Sequence, residues 1–136
     1  MKNNIEKLIP KAMKAVEIEL VQNGKIASVY NGYISSLGAG LVQAGLLPTL
    51  AFYASLNARS KEKRTYLLQA IYRIIFGDKI GTDSKLKGDE LLKEAIKVQG
   101  KPTEMYALKK QIRDAAVAIK LSLRTFELDK SVKEES

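Results

Sequence analysis

Residues 26–58 read IASVYNGYISSLGAGLVQAGLLPTLAFYASLNA, 33 consecutive positions without a charge in a chain where 28% of residues are charged. Ile26, Val29, Tyr30, Tyr33, Ile34, Leu37 and Leu41 recur at three- and four-residue spacing, which predicts an amphipathic helix ending near Gly45. A short helix over Leu46–Leu56 follows, with Leu47, Leu50 and Ala54 on one face and Pro48 tolerated in its first turn. About 20 apolar residues can span a bilayer, so a membrane span has to be weighed. Against it, Asn31, Ser35, Ser36, Gln43, Pro48, Ser55 and Asn57 interrupt the run, and its first half is amphipathic. The plainer reading is a central helical pair buried on most sides, with Gly32, Gly38 and Gly40 allowing close approach. Docking of part of this uncharged surface against a protein neighbour stays open beside it.

The flanking segments repeat the helical period. Ile5, Leu8, Ile9, Ala12, Met13, Val16 and Leu20 build one stripe, with Pro10 marking a kink or a late start and Asn23-Gly24 a stop. A basic helix with Leu67, Leu68, Ile71, Ile74 and Ile75 on its core side stops at Gly77, before a loop over 78–84. Leu91, Leu92, Ala95 and Ile96 mark a small helix ending at Gly100, and the last helix is expected from about Thr103 to Leu128. No lasting strand alternation occurs. The expectation is an all-α fold without a sheet, a compact bundle of about six helices in one domain over 1–128 with a disordered tail at 129–136.

The chain of 136 residues carries a net charge of +8 and contains neither Cys nor His. Those two zeros exclude a disulfide framework, a Cys/His zinc site, a Ser-His-Asp triad and a Cys nucleophile. Gly38-Ala39-Gly40 lacks both the third glycine and the preceding strand of a dinucleotide fingerprint, and Gly24-Lys25 has no phosphate-loop context. The loop at Asp78 has Ile80 where a calcium loop needs an oxygen ligand, and Glu17 and Glu19 do not face each other on a helix. No catalytic residue, cofactor or metal is therefore expected. The N-terminus shows no secretory apolar region, so a cytoplasmic location is expected, with no membrane partner.

What the composition favours is an anionic partner. Between Arg59 and Lys79 lie six cations (Arg59, Lys61, Lys63, Arg64, Arg73 and Lys79), a segment contributing +4, with Tyr66 and Tyr72 interleaved. Phosphates favour such clusters through counterion release, and a ring can stack on an unpaired base. A solvated helix face explains the same cluster equally well. The last helix is more specific. At about 100° per residue, Lys109, Arg113, Lys120 and Arg124 fall within roughly 60° of one another, a line about 23 Å long. Met105, Leu108, Ile112, Ala116, Ile119, Leu123 and Phe126 occupy the adjoining core face, and Glu127 weakens the far end of the cationic one. Val117, Leu121 and Leu128 form a spare apolar side suited to a neighbour. The candidate nucleic-acid-binding residues are thus Lys109, Arg113, Lys120 and Arg124, with Arg59, Lys63 and Arg64 from the first cluster.

The stretch Gly45-Leu46-Leu47-Pro48-Thr49-Leu50-Ala51-Phe52-Tyr53, preceded by Tyr33-Ile34-Ser35-Ser36, resembles the small helical subunit of the type III-B CRISPR effector, the Cmr complex. The resemblance covers most of the chain in length and helix order, and its motif spans about Tyr30 to Leu56. It implies a non-catalytic subunit that stacks with copies of itself as a filament beside the other Cmr subunits. In such an assembly the filament lines the path of guide RNA and target RNA, and basic side chains touch the target backbone. No catalytic residue transfers, and Gly38-Ala39-Gly40 stands where a bulkier surface is expected. The alternative is a basic helical protein-interaction adaptor that makes no direct contact with nucleic acid.

Overall fold

In a computed structural model, residues 2–55 and 63–130 are described. Among them the first helix, α1, spans Lys2–Glu19 and runs through Pro10. Proline removes one i→i−4 hydrogen bond, but Pro10 is exposed and the buried residues Ala12, Ala15 and Val16 of the helix, like Leu20 just after it, lie beyond the proline. Met13, expected on the inner stripe, sits at its exposed edge.

The Asn23-Gly24 pair does more than end a helix. It turns a hairpin between β1 (Val21–Gln22) and β2 (Lys25–Ala27), with Val21 opposite Ile26 and Gln22 opposite Lys25. Both turn residues have positive φ, 53° at Asn23 and 77° at Gly24, the backbone that a two-residue primed turn requires and that Asn-Gly supplies cheaply. Next come α2 (Val29–Gln43), α3 (Leu46–Tyr53), α4 (Thr65–Phe76), a single 3₁₀ turn at Gly77–Lys79, α5 (Glu90–Lys97) and α6 (Pro102–Leu123). A final strand, β3 (Leu128–Asp129), lies parallel to β2, pairing Ile26 with Leu128 and Ala27 with Asp129. The Ile26 and Ser28 amides donate to the Glu127 and Asp129 carbonyls, each at 2.9 Å.

The bundle is mostly α-helical, as expected, but it carries this small three-stranded sheet, which corrects the expectation of none. Strands of two or three residues are too short to show alternation, so the chain pattern hides them. The last helix accordingly stops at Leu123 rather than Leu128. Leu128 lies half-buried in the sheet and not on a spare helix face, and Asp129 is paired rather than frayed. Residues 131–136, the remainder of the expected tail, lie outside the described residues, as does Leu56.

α6 packs against α1, α2 and α4, and α3 packs against α2, α4 and α5. Tyr30, Tyr33, Ile34, Leu37 and Leu41 are buried, but the opposite side of α2 is exposed, so the expected pair buried on most sides is corrected to helices with one face in the core and the other in water. Gly40 alone of the three expected glycines matters for close approach, since a Cβ there would lie 3.0 Å from the Thr49 hydroxyl oxygen. Gly32 and Gly38 face open space. The Tyr53 hydroxyl donates to the Tyr33 carbonyl at 2.7 Å, and the Thr65 hydroxyl donates to the Tyr53 carbonyl at 2.8 Å. These two bonds tie α2, α3 and the start of α4 together. On α5, Leu91 and Ala95 are buried while Ile96, expected inside, points out. The Glu90 carboxylate accepts from the Lys87 and Gly88 amides at 2.7 and 2.9 Å, which holds the entry to that helix.

Candidate nucleic-acid interface

α6 is the longest helix among the described residues, and its two faces are sharply unlike. Leu108, Ile112, Ala115, Ala116, Ala118, Ile119, Ser122 and Leu123 are buried against α1, α2 and α4. On a helix of 3.6 residues per turn these residues subtend about half the circumference. Lys109, Arg113, Lys120 and Arg124 follow on from that arc. Lys109 is half-buried and the other three are exposed. Arg124 lies one residue beyond the helix but keeps helical backbone angles, φ −70° and ψ −15°, so the angular alignment holds to the end of the row.

Among the described residues none of these four cations has an ion-pair partner. The ion pairs present there involve Lys11 with Asp78, Lys25 with Glu127, Arg73 with Glu19, and Lys93, Lys97 and Lys101 with nearby acids. Glu127, expected to weaken the far end of the row, is instead turned to Lys25 at 3.9 Å. The row therefore presents four like charges along one edge of α6. Gln111 and Asp114 mark a different side of the helix, where they line a groove with Asn4, Lys7, Leu8, Lys11, Ile74 and Ile75.

The cluster around the start of α4 is dispersed by folding. Arg59 lies outside the described residues. Lys63 is half-buried, and its carbonyl accepts from the Tyr30 hydroxyl at 3.3 Å. The Arg64 guanidinium sits over the Tyr33 ring at 4.6 Å and the Phe52 ring at 5.1 Å, so α2 and α3 hold it rather than α6. Arg73 is taken into the interior, with its side chain 8% exposed and ion-paired to an equally buried Glu19. Its second nitrogen donates to the Ser84 carbonyl, and Gln69 donates to the other Glu19 oxygen at 2.6 Å. Tyr66 and Tyr72 pack against the core rather than standing between cations in solvent.

One aromatic side chain that composition and charge runs do not flag does stand in solvent beside the row. Tyr106 is 70% exposed. Its seven-residue offset from Arg113 places it about 20° from that residue around the helix, a relation visible on a helical wheel once rings are plotted with the cations.

A second, neutral surface covers the outer sides of α2 and α3. Asn31, Ser35, Ser36, Ala39, Val42, Gln43, Ala51 and Phe52 are exposed there, Val42 and Phe52 most of all among the large apolar side chains. Val117 and Leu121 are exposed on α6. Burial pushes the Tyr53 phenol up to about 12, against a smaller opposing pull from Arg64. No helix among the described residues is long and apolar enough to cross a membrane.

The family model described as CRISPR-associated protein (Cas_Cmr5) matches residues 6–119. No curated protein and no solved structure matches the chain.

Proposed function

The chain belongs to the Cmr5 family of CRISPR-associated proteins, small subunits of type III-B Cmr complexes, and we propose that in its complex it is a non-catalytic subunit that binds the target RNA backbone. The observation that carries this is the row Lys109, Arg113, Lys120 and Arg124, four like charges on one side of α6 and none ion-paired among the described residues. Charges left in water lose little on meeting a phosphate, and each contact releases condensed counterions. Contacts of this kind position a strand without reading it, so base pairing with the guide RNA supplies the sequence information.

Copies of the chain stack head to tail beside the other Cmr subunits in the cytoplasm. Head-to-tail stacking needs two different patches, because heterologous contacts propagate. Among the described residues, the neutral surface of α2 and α3 and the apolar side of α6 at Val117 and Leu121 support two such patches. One copy supplies few phosphate contacts, and an array gains by multivalency.

Reversal of all four charges (Lys109→Glu, Arg113→Glu, Lys120→Glu, Arg124→Glu) tests the reading in reconstituted complexes. RNA retention is expected to collapse, and the slope of log affinity against log salt to fall by about 3 units, at ~0.7 per lost phosphate contact on a single strand. Undiminished retention at both low and physiological salt would overturn it. The breadth of the neutral α2–α3 surface favours, as a second reading, an adaptor that makes only protein contacts. Pulldown from the host separates the two: an adaptor of another assembly returns partners other than Cmr subunits.

A further inference from the structure

We propose that Tyr106 is a stacking platform for an unpaired base of the strand that follows α6, an inference that rests on the reading of α6 as the RNA face. Among the described aromatic side chains only Phe52 and Tyr106 are largely exposed, and Phe52 already lies against the Arg64 guanidinium and the Tyr53 ring. Tyr106 has no ring contact, cation contact or hydrogen bond among the described residues. Its ring contributes nothing to the core, unlike Met105 beside it, which packs there.

The position of the ring sets the chemistry. Tyr106 precedes Lys109 by three residues and Arg113 by seven, so the three lie on one side of the helix, about 4.5 and 10.5 Å apart along the axis. Thr103 and Ala107, which flank it, are exposed and small. A strand whose phosphates meet Lys109 and Arg113 brings its next bases over the first turns of α6, where an uncovered ring stands. Every base has a π face, so stacking there tolerates any sequence, in keeping with backbone contacts that also ignore sequence. A duplex keeps its bases stacked on one another and leaves the ring nothing to receive. Tyr106 therefore has nothing to hold where the target is paired with the guide, and adds to the cationic row a contact for target bases that the guide leaves unpaired.

The chain contains no tryptophan, so Tyr106→Trp places a single indole at the site. In the full chain at low salt, its emission is expected to be quenched by a 12-residue oligoadenylate and unaffected by an abasic strand of the same length. In reconstituted complexes, Tyr106→Ala is expected to weaken binding of oligoadenylate about fivefold or more. Binding of the abasic strand should be unchanged, and Tyr106→Phe should retain wild-type affinity. Unquenched emission, or equal weakening of both strands by the alanine variant, would overturn the inference. Either result combined with RNA loss on reversal of the four charges leaves the RNA reading standing. Retention of RNA after that reversal removes the reading itself.

Discussion

Two basic regions of this chain look alike on paper and end up in opposite surroundings. The stretch from Arg59 to Lys79 and the face from Lys109 to Arg124 each set cations beside an amphipathic helix. In the fold, Arg73 from the first is desolvated against Glu19, and Arg64 is covered by two rings. The four cations of the second stay at the surface without acidic mates among the described residues. A guanidinium taken from water needs partners that replace its lost hydration, which Glu19 and the Ser84 carbonyl supply to Arg73. One left in water keeps its charge for a mobile anion. Local charge density is the same signal in both cases, and the group across the interface decides what it means.

Substitutions on the two sides should therefore separate stability from binding, and the largest effect belongs to the interior. Arg73→Met leaves Glu19 buried without its partner and is expected to destabilise the fold by about 3–5 kcal/mol, lowering Tm by on the order of 10 °C in thermal unfolding. Replacing both partners, Glu19→Leu with Arg73→Met, is expected to recover most of that loss, since an apolar pair needs no compensation. A double variant as unstable as the single one would show that the Gln69 and Ser84 bonds, rather than the charge pair, carry the latch.

Tyr53→Phe comes next, at about 1 kcal/mol, because it removes the buried hydroxyl's bond to the Tyr33 carbonyl. The pH dependence has a definite sign. Burial raises the folded phenol from 10.0 to about 12, so its stabilising contribution is whole below pH 10 and is lost as pH rises from 10 to 12. The stability gap between wild type and Tyr53→Phe, followed by denaturant titration, should hold to about pH 10 and shrink above it. Arg64→Met, which removes a cation from two ring faces, is expected to lower stability by about 0.5–1 kcal/mol. The smallest stability change belongs to α6. Arg113→Gln should shift unfolding by less than about 0.5 kcal/mol while reducing the salt slope of RNA binding by about 0.7. A large drop in Tm for that variant would erase the contrast.

The sites themselves were unequally legible. The α6 row could be read in advance, because an angular position on a helix follows from residue number alone. The α4 cluster could not. Glu19 lies 54 residues from Arg73 along the chain and meets it only when α1 packs on α4. Tyr106 sat on the same wheel as the cations, but its exposure depends on which arc of α6 the neighbouring helices cover.

Periodicity thus specifies the six helices of the described residues and most of their inner faces, Met13 and Ile96 excepted, because both are local properties repeated every few residues. In the charge-free stretch the same spacing marks Tyr30, Tyr33, Ile34, Leu37 and Leu41 for the interior, since apolar side chains at that spacing leave water together. Packing alone settles the rest: the parallel pairing of Leu128 with Ile26, the latch between Glu19 and Arg73, and which cations remain outside. Those outcomes depend on partners far apart in the chain, whose meeting leaves no periodic trace in either segment.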